Sequence, residues 1–348
     1  MKLGVMLGYS GSRASAPTEL VVAAEHLGYS SAWTAEAWGS DAVTPAAWIL
    51  AKTKTIKAGT AIMQMSARTP AMTAMTAMTL DHLSGGRFIV GIGASGPQVV
   101  EGWYGQPYGK PILRTKEYVS ILKKIFSRER PLVHKGEHYQ IPNNGCGTTG
   151  QGKPLKSILH GSPTIPIYTG VATEKGVSTA AEIADGCILV WMDPKKISLW
   201  LSALNDGFHR SVDQNKSLAN FDLATIIRVS MGDDIDACRM KIKNTLALYI
   251  GGMGSRQKNF YNEYAQKLGY AEEARLIQDL FLSGQKDKAA HAVPDKLVDE
   301  TSLVGPKKHV AAQLENWQQV CSDQKIGSLI INTNSIDELE FISNILLY

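Results

Sequence analysis

Three glycines at the end of an apolar run are the first residues in this chain whose spacing suggests chemistry. Gly91, Gly93 and Gly96 form a GxGxxG pattern after Phe88–Ile92, a run with the length and β-branched content of a buried strand. In a dinucleotide-binding fold, a helix opens inside this pattern. Here a proline follows the last glycine, and the next helical pattern begins only near Arg114. The pattern therefore predicts a glycine turn that holds some cofactor, or a plain strand-end turn without a ligand, and it argues against a dinucleotide fingerprint.

Two acidic residues in an earlier loop form a second candidate group. Glu36 and Asp41 lie close in sequence to Trp33 and Trp38. A carboxylate next to aromatic rings can transfer a proton or bind the N–H of a heterocycle. The same carboxylates can instead accept hydrogen bonds from the first N–H groups of the following helix. Glu36 is therefore a catalytic candidate with a structural alternative of equal weight.

The junction at Tyr168–Gly176 joins a predicted strand to a predicted helix. The free N–H groups and the positive end of a helix at such a junction favour an anion such as phosphate. Lys175 would add a positive charge there.

The sequence gives little support for a metal site. His134 and His138 are four residues apart, as on a metal-binding helix, but Gly136 and the strand-like context oppose a helix. Lys135 stands where a metalloprotease helix carries its glutamate. The cysteines are widely spaced and predict neither a zinc site nor a disulfide framework: Cys146, Cys187, Cys238 and Cys321.

Candidate residues of these kinds must be positioned by a scaffold, and the chain alternates strand and helix patterns from its start. Eight strands are predicted: Lys2–Leu7, Ser31–Thr34, Ile56–Met63, Phe88–Ile92, Ile165–Tyr168, Gly186–Val190, Leu223–Val229 and Ser328–Asn332. Alternation of this kind is typical of a parallel α/β sheet. Eight such units in 348 residues favour a (β/α)8 TIM barrel over an open doubly wound sheet, which stays as the alternative.

Helices are predicted between the strands, with two interruptions. Segments 127–163 and 251–304 lack the alternation and are predicted as insertions in one domain spanning 1–348, the second containing two or three helical pieces. In the helix Thr69–Leu83, methionines at 72, 75 and 78 are three residues apart and predict packing into the core.

In a barrel, functional residues lie in the loops that follow the strands, at the C-terminal mouth. Six loops are expected to meet there: Gly8–Ser15, Ala35–Val43, Gln64–Arg68, Gly93–Gly109, Thr169–Thr173 and Trp191–Asp193.

Composition limits the class of protein. The net charge of +4, with no run of Lys or Arg, predicts that the chain does not bind nucleic acid. No apolar run has the length of a membrane span, and the N-terminus lacks the pattern of a signal peptide. We therefore expect a soluble, cytoplasmic protein that acts on a small molecule.

Taken together, four stretches resemble the bacterial-luciferase-like monooxygenase superfamily, and within it the oxidoreductases that use the deazaflavin coenzyme F420. They are Trp33–Trp38, Gly59–Gln64, Leu83–Gly93 and Ala180–Gly186. The resemblance implies a (β/α)8 barrel with insertions, a homodimer, and F420 across the C-terminal mouth, with FMN as the alternative cofactor.

The resemblance also implies which residues contact the cofactor. A non-proline cis peptide bond is implied at Ala61–Ile62, beside the central ring. An acidic contact is implied at Glu36. The ring and ribityl chain are implied to contact Gln64, Ala94, Ser95 and Val99, and the phosphate to contact Ala172, Thr173 and Lys175.

Two departures from the pattern bear on the reaction. Relatives that oxidise a sugar phosphate carry a histidine and a glutamate where this chain has Ala37 and Gly96. Without that acid–base pair, the resemblance implies hydride transfer between the reduced deazaflavin and an activated C=C, C=N or C=O group, with water or another side chain as the proton source. The alternatives are an FMN-dependent monooxygenase and a non-catalytic F420-binding protein.

Overall fold

The structure, a computed structural model, describes residues 1–323 and 325–347. Its strands, numbered along the chain, are β1 Lys2–Gly8, β2 Ser31–Thr34, β3 Lys57–Thr60, β4 Met63–Gln64, β5 Phe88–Gly93, β6 His134–Lys135, β7 Gln140–Ile141, β8 Ile167–Gly170, β9 Gly186–Val190, β10 Asp222–Met231, β11 Ser302–Gly305 and β12 Ser328–Asn332. Eight of them form a closed parallel ring in the order β1, β2, β3, β5, β8, β9, β10, β12. The predicted barrel is confirmed, and the open-sheet alternative is wrong.

Two apolar layers hold the barrel. One fills its interior and includes Trp33 and Tyr168, whose ring centroids lie 5.5 Å apart. The other, larger layer lies between the strands and the surrounding helices. Strands buried on both faces explain the nearly continuous apolar runs in the sequence.

The α-helices are α1 Thr18–His26, α2 Val43–Lys52, α3 Pro70–Ser84, α4 Pro97–Gly102, α5 Pro111–Ser127, α6 Glu174–Ile183, α7 Ser198–Arg210, α8 Ile235–Ala247, α9 Phe260–Lys267, α10 Ala271–Leu282, α11 Lys286–His291, α12 Asp295–Thr301, α13 Lys307–Ser322 and α14 Ile336–Leu346. Thr69 caps α3 and Thr173 caps α6, because each hydroxyl accepts an N–H from the first turn.

Two helix starts were wrongly predicted. The fourth helix begins at Pro111, and a short helix, α4, begins at Pro97 immediately after the glycine pattern. Both prolines occupy the first helical turn, where a missing N–H costs nothing because that N–H has no intrahelical partner. At the start of α2, the carboxylate of Asp41 accepts the N–H groups of Val43 and Thr44.

The predicted third strand, Ile56–Met63, is wrong as one continuous element. The pairing of β3 with its neighbours ends at Thr60, and a two-residue strand, β4, resumes the pairing with β5 at Met63. The peptide bond Ala61–Ile62 between them is cis, as the resemblance implied.

The two predicted insertions differ from each other. Segment 127–163 contains the antiparallel pair β6 and β7, which Glu117 of α5 anchors by accepting three backbone N–H groups. Segment 251–304 contains four helices, α9 to α12, rather than two or three. It also ends in β11, which pairs with the part of β10 that extends beyond the ring.

The expectation for the methionines of α3 is wrong for two of the three. Met78 is fully buried, whereas Met72 and Met75 are 53% and 56% exposed. A three-residue spacing drifts around a helix of 3.6 residues per turn, so only one of the three methionines reaches the core.

In the described ranges, no helix has the length and apolar character to cross a membrane. Among the same residues, no group of three or more His, Cys, Asp or Glu side chains is arranged to hold a metal ion.

Candidate functional site

A cavity of about 670 Å³ lies at the C-terminal mouth of the barrel. It is lined by residues from the loops that were expected to meet there. Nine of the ten residues matched to cofactor contacts line it: Glu36, Ala61, Ile62, Gln64, Ala94, Ser95, Val99, Ala172 and Thr173. The tenth, Lys175, does not.

One side of this cavity, which we call the glycine wall, is formed where β3, β5 and β8 end. Its residues are Ile62, Gly93, Ala94, Ser95, Gly170 and Ala172. A Cβ added to Gly93 or to Gly170 would lie 2.8 Å from side-chain atoms of Ile62, so both positions need glycine. Ser95 adopts φ +60°, a left-handed conformation. The wall is shaped mainly by backbone, which lets a ligand approach closely.

The three glycines of the GxGxxG pattern have separate roles. A Cβ on Gly91 would collide with the carbonyl oxygen of Thr60, so this glycine permits the close pairing of β5 with β3. Gly93 accommodates Ile62, and Gly96 precedes the first turn of α4. Only Gly93 and Gly96 line the cavity.

The carboxylate of Glu36 is engaged by the protein itself. One oxygen accepts the N–H of Gln64 at 2.7 Å and pairs with the Arg68 guanidinium at 2.7 Å, and the other accepts the N–H of Ala42 at 3.0 Å. Burial opposes the charge of Arg68, but the hydrogen bond and the charge of Glu36 raise its pKa. Glu36 therefore holds two loops together, which argues against a role as proton donor. Sequence reasoning missed its partner Arg68.

Two buried polar atoms of the cavity have no partner within the described part of the chain. Gln64 donates from Nε2 to the carbonyl oxygens of Glu36 and Ala37, and its Oε1 accepts no hydrogen bond. The hydroxyl oxygen of Thr169 likewise has no partner. Buried polar groups are normally hydrogen-bonded, so these two atoms indicate a polar ligand.

The start of α6 closes one end of the cavity. The Thr173 hydroxyl accepts the N–H of Gly176 at 3.0 Å, and the first N–H groups of a helix have no partner inside it. Lys175 instead lines a second groove of about 410 Å³, which shares Ile112 and Thr179 with the cavity. The groove is also lined by Lys116 and Arg210, which both pair with Glu182, and by the acidic residues Glu174 and Asp206.

The opposite side of the cavity, which we call the aromatic wall, was predicted only in part: Tyr9 and Trp191 lie in loops expected at the mouth, whereas Arg228, Tyr249 and Tyr261 were not predicted. Its residues are Tyr9, Trp191, Arg228, Tyr249 and Tyr261. The Tyr261 ring lies 5.3 Å from that of Trp191 and 4.7 Å from that of Tyr249, between centroids. Tyr261 belongs to the second insertion, and Gln98 of α4 donates to the carbonyl oxygen of Lys258 in the same segment. The insertion therefore covers the cavity from this side.

Tyr9 and Tyr261 of the aromatic wall stay protonated at neutral pH. Burial raises the pKa of Tyr9, and the neighbouring Tyr249 adds to the rise. Burial likewise raises the pKa of Tyr261. At the edge of the glycine wall, burial raises the pKa of Tyr108 to about 12. These hydroxyls can therefore donate hydrogen bonds to a ligand.

Comparison with known proteins agrees with this architecture. The sequence model of the luciferase-like monooxygenase family matches residues 1–324. A Mycobacterium tuberculosis protein, whose name describes it provisionally as a coenzyme F420-dependent oxidoreductase, is 45% identical over 320 residues, which cover 91% of this chain and 92% of that protein.

Solved structures share the fold. The coenzyme F420-dependent tetrahydromethanopterin reductase of Methanopyrus kandleri superposes with a TM-score of 0.78 at 20% identity, covering 99% of this chain and 98% of that one. A type II Baeyer–Villiger monooxygenase of Pseudomonas putida, in complex with FMN, superposes with a TM-score of 0.62 at 17% identity, covering 99% and 97%. The family match and the 45% identity show that the chain belongs to the luciferase-like monooxygenase family.

Proposed function

We propose that this protein is a coenzyme F420-dependent oxidoreductase. The deazaflavin would lie along the glycine wall, and a small substrate with an activated C=C, C=N or C=O group would lie between it and the aromatic wall. The observation that carries the proposal is that the residues matched to cofactor contacts, scattered from Glu36 to Thr173, line one cavity. The relative at 45% identity supports the choice of cofactor.

The residues present fit a flat polar heterocycle with an anionic side chain. Gln64 Oε1 offers a buried acceptor for a ring N–H, and Gly93 and Gly170 let the backbone approach closely. The N-terminus of α6 is suited to a phosphate, and the groove beside Lys175 could take the rest of an anionic tail. When bound, the deazaflavin supplies the hydride chemistry.

The protein's own residues would position the reactants and hold protons. The Glu36–Arg68 pair fixes the loop that presents Gln64. Serine, threonine and tyrosine side chains supply hydroxyl protons in the cavity, among them Ser95, Thr169 and Tyr261. We therefore retain water or a hydroxyl group as the proton source.

Titration of the purified protein with F420 and with FMN tests the proposal. We expect F420 to bind more tightly, and reduced F420 to be oxidised in the presence of a member of a panel of enones, imines and aldehydes. Tight binding of FMN alone, with oxygen consumption, would instead identify an FMN-dependent monooxygenase, the cofactor found in the Pseudomonas structure. Binding of F420 without turnover against the panel would indicate a non-catalytic F420-binding protein.

We also propose a homodimer in the cytoplasm. Trp48 on α2 and the two exposed methionines of α3 present apolar side chains that a second copy could cover. The four cysteines are free, which is typical of a reducing compartment. Light scattering after size exclusion should give twice the chain mass. Replacement of Met72 and Met75 by Lys should give the monomer mass, and an unchanged dimer would place the interface elsewhere.

A further inference from the structure

Arg228 is a charged residue on the inward face of β10, two residues beyond the apolar Ile226. Along β10, alternate residues point to the same side, so Ala224, Ile226 and Arg228 form one inward row. Ala224 lies in the apolar barrel interior, Ile226 packs against it, and Ile226 and Arg228 both line the cavity. Arg228 stands opposite Asn332 of β12 in the strand register. β10 therefore places the guanidinium of Arg228 in the cavity, as part of the aromatic wall.

This arginine has no counter-ion. Among residues 1–323 and 325–347, no carboxylate lies within ion-pair distance of the Arg228 guanidinium, and no carbonyl accepts a hydrogen bond from it. The guanidinium packs over the Tyr249 ring, whose centroid lies 5.8 Å from the guanidinium carbon. Of the described residues that line the cavity, the other charged one is Glu36, which Arg68 neutralises. The cavity thus carries one uncompensated positive charge.

The neighbours of Arg228 are donors rather than bases. Tyr249 packs against Arg228, and Tyr9 and Tyr261 line the same wall. Burial raises the pKa of Tyr9 and of Tyr261, and the positive charge of Arg228 offsets only part of the rise. Neutral phenol hydroxyls beside a guanidinium form a donor set that matches an oxyanion.

We propose that Arg228 and these three tyrosines form an anion subsite, and that the substrate is a small carboxylate with an apolar body. The single charge of Arg228 balances a carboxylate, whereas a phosphate dianion would leave one charge unpaired in a half-buried site. The rings of Trp191 and Tyr261 would contact the apolar body. This inference rests on the proposed function, because it names the substrate class of the same cavity.

The position of the subsite separates it from the cofactor. In the eight-strand ring, β10, β12 and β1 stand directly across from β3, β5 and β8. A carboxylate at Arg228 would therefore hold the far end of a substrate whose other end faces the glycine wall. Arg228 is thus a specificity-determining residue rather than a proton donor.

Fluorine NMR titration with 4-fluorocinnamate and its neutral amide, 4-fluorocinnamamide, tests the subsite without knowledge of the true substrate. We expect the wild-type protein to bind the acid about tenfold more tightly than the amide, or more. Arg228→Met should remove this preference by weakening the acid alone, and Tyr249→Phe should weaken the acid about threefold. The F420 affinity should stay the same in both variants.

The controls keep the outcome decisive. Arg275→Met removes an exposed arginine of α10 outside the cavity and should change neither affinity. Equal binding of acid and amide to the wild-type protein would overturn the proposal, even if Arg228→Met did not fold. Loss of F420 affinity in Arg228→Met, with the acid unaffected, would also overturn it by placing Arg228 in the cofactor site. A preserved acid preference in a protein that does not bind F420 would support the subsite and refute the cofactor assignment.

Discussion

The two walls of the cavity are built by different means. The glycine wall consists of strand ends whose backbone and small side chains leave room for a ligand, and its nearest charge, Glu36, is neutralised by Arg68. The aromatic wall consists of large side chains from β10, from two loops, from the helical turn after α8 and from the second insertion, and it carries an unpaired arginine. The difference indicates that the backbone sets the shape of the glycine wall. The ligand preference of the aromatic wall is instead set by its side chains and would change if they were substituted.

The supporting contacts differ in the same way. Behind the glycine wall, the backbone at Gly91 is tied to Thr60 by two hydrogen bonds, and Glu36 joins two loops. Behind the aromatic wall, rings pack on rings, as between Trp191 and Tyr264. Side chains of the insertion also hold the backbone of this wall, since Tyr264 donates to the carbonyl oxygen of Trp191 and Asn259 to that of Tyr249. Variants should therefore separate cofactor binding from substrate binding.

The largest effect is expected from Ser95→Trp on the glycine wall. An indole in place of the hydroxyl would fill the ligand's space and should lower F420 affinity about a hundredfold or more, with the barrel still folded. Ser95→Gly is the matched control, because glycine tolerates φ +60° and should bind F420 about as well as wild type. Fluorescence titration measures both. Unchanged affinity in Ser95→Trp would show that this wall is not the cradle.

Arg68→Met should have the next largest effect, on stability. The side chains of Arg68 and Glu36 are only 18% and 3% exposed, and breaking such a pair should cost about 3 kcal/mol in free energy of unfolding. Lys110→Met breaks an ion pair with Glu137 whose side chains are 69% and 50% exposed, and it should cost less than about 1 kcal/mol. Urea unfolding compares the two. Equal costs would contradict the supporting role assigned to Glu36.

Gln64→Leu tests the unpartnered acceptor. Loss of Oε1 should weaken F420 binding about tenfold, because a buried ligand N–H would lose its partner. The same variant should leave the preference for 4-fluorocinnamate over its amide unchanged, since that preference belongs to the other wall. Gln319→Leu, on the exposed surface of α13 and outside the cavity, is the control for F420 affinity. A change in the acid preference alone would reverse the assignment of the walls.

Glu25→Gln, remote from both walls, should alter only acid stability. Burial opposes ionisation of Glu25, but hydrogen bonds from the N–H groups of Lys54, Thr55 and Ile56 lower its pKa from 4.5 to about 2. Because the pKa of Glu25 is lower in the folded than in the unfolded state, its ionised form stabilises the folded protein above pH 4.5. This contribution is lost as the pH falls towards 2. Wild type should therefore lose about 1–2 kcal/mol more than Glu25→Gln across this window, measured by urea unfolding at several pH values. Ligand binding at neutral pH should not differ.

The sequence by itself determined the barrel and most of the glycine wall. Buried strands appear in the sequence as apolar runs, the start of α3 as the pair Thr69–Pro70, and backbone that must approach a neighbour as glycines such as Gly91 and Gly93. The helix starts at Pro97 and Pro111 were wrongly predicted, because proline breaks the interior of a helix but is favoured in its first turn.

Only the tertiary structure decided the aromatic wall and the role of Glu36. Tyr9, Arg228 and Tyr261 are far apart in sequence and meet because the ring closes and the insertion folds over it. The sequence contains one indication of the role of Arg228, which is a charged residue at an inward position of a strand. Whether a carboxylate neutralises that charge depends on residues distant along the chain. The sequence around Glu36 is equally consistent with a catalytic and a structural role, and the ion pair with Arg68 in the structure favours the structural one. The physical reason is the same in both cases: local patterns depend on neighbouring residues, whereas the charge state and access of a side chain depend on everything that packs around it.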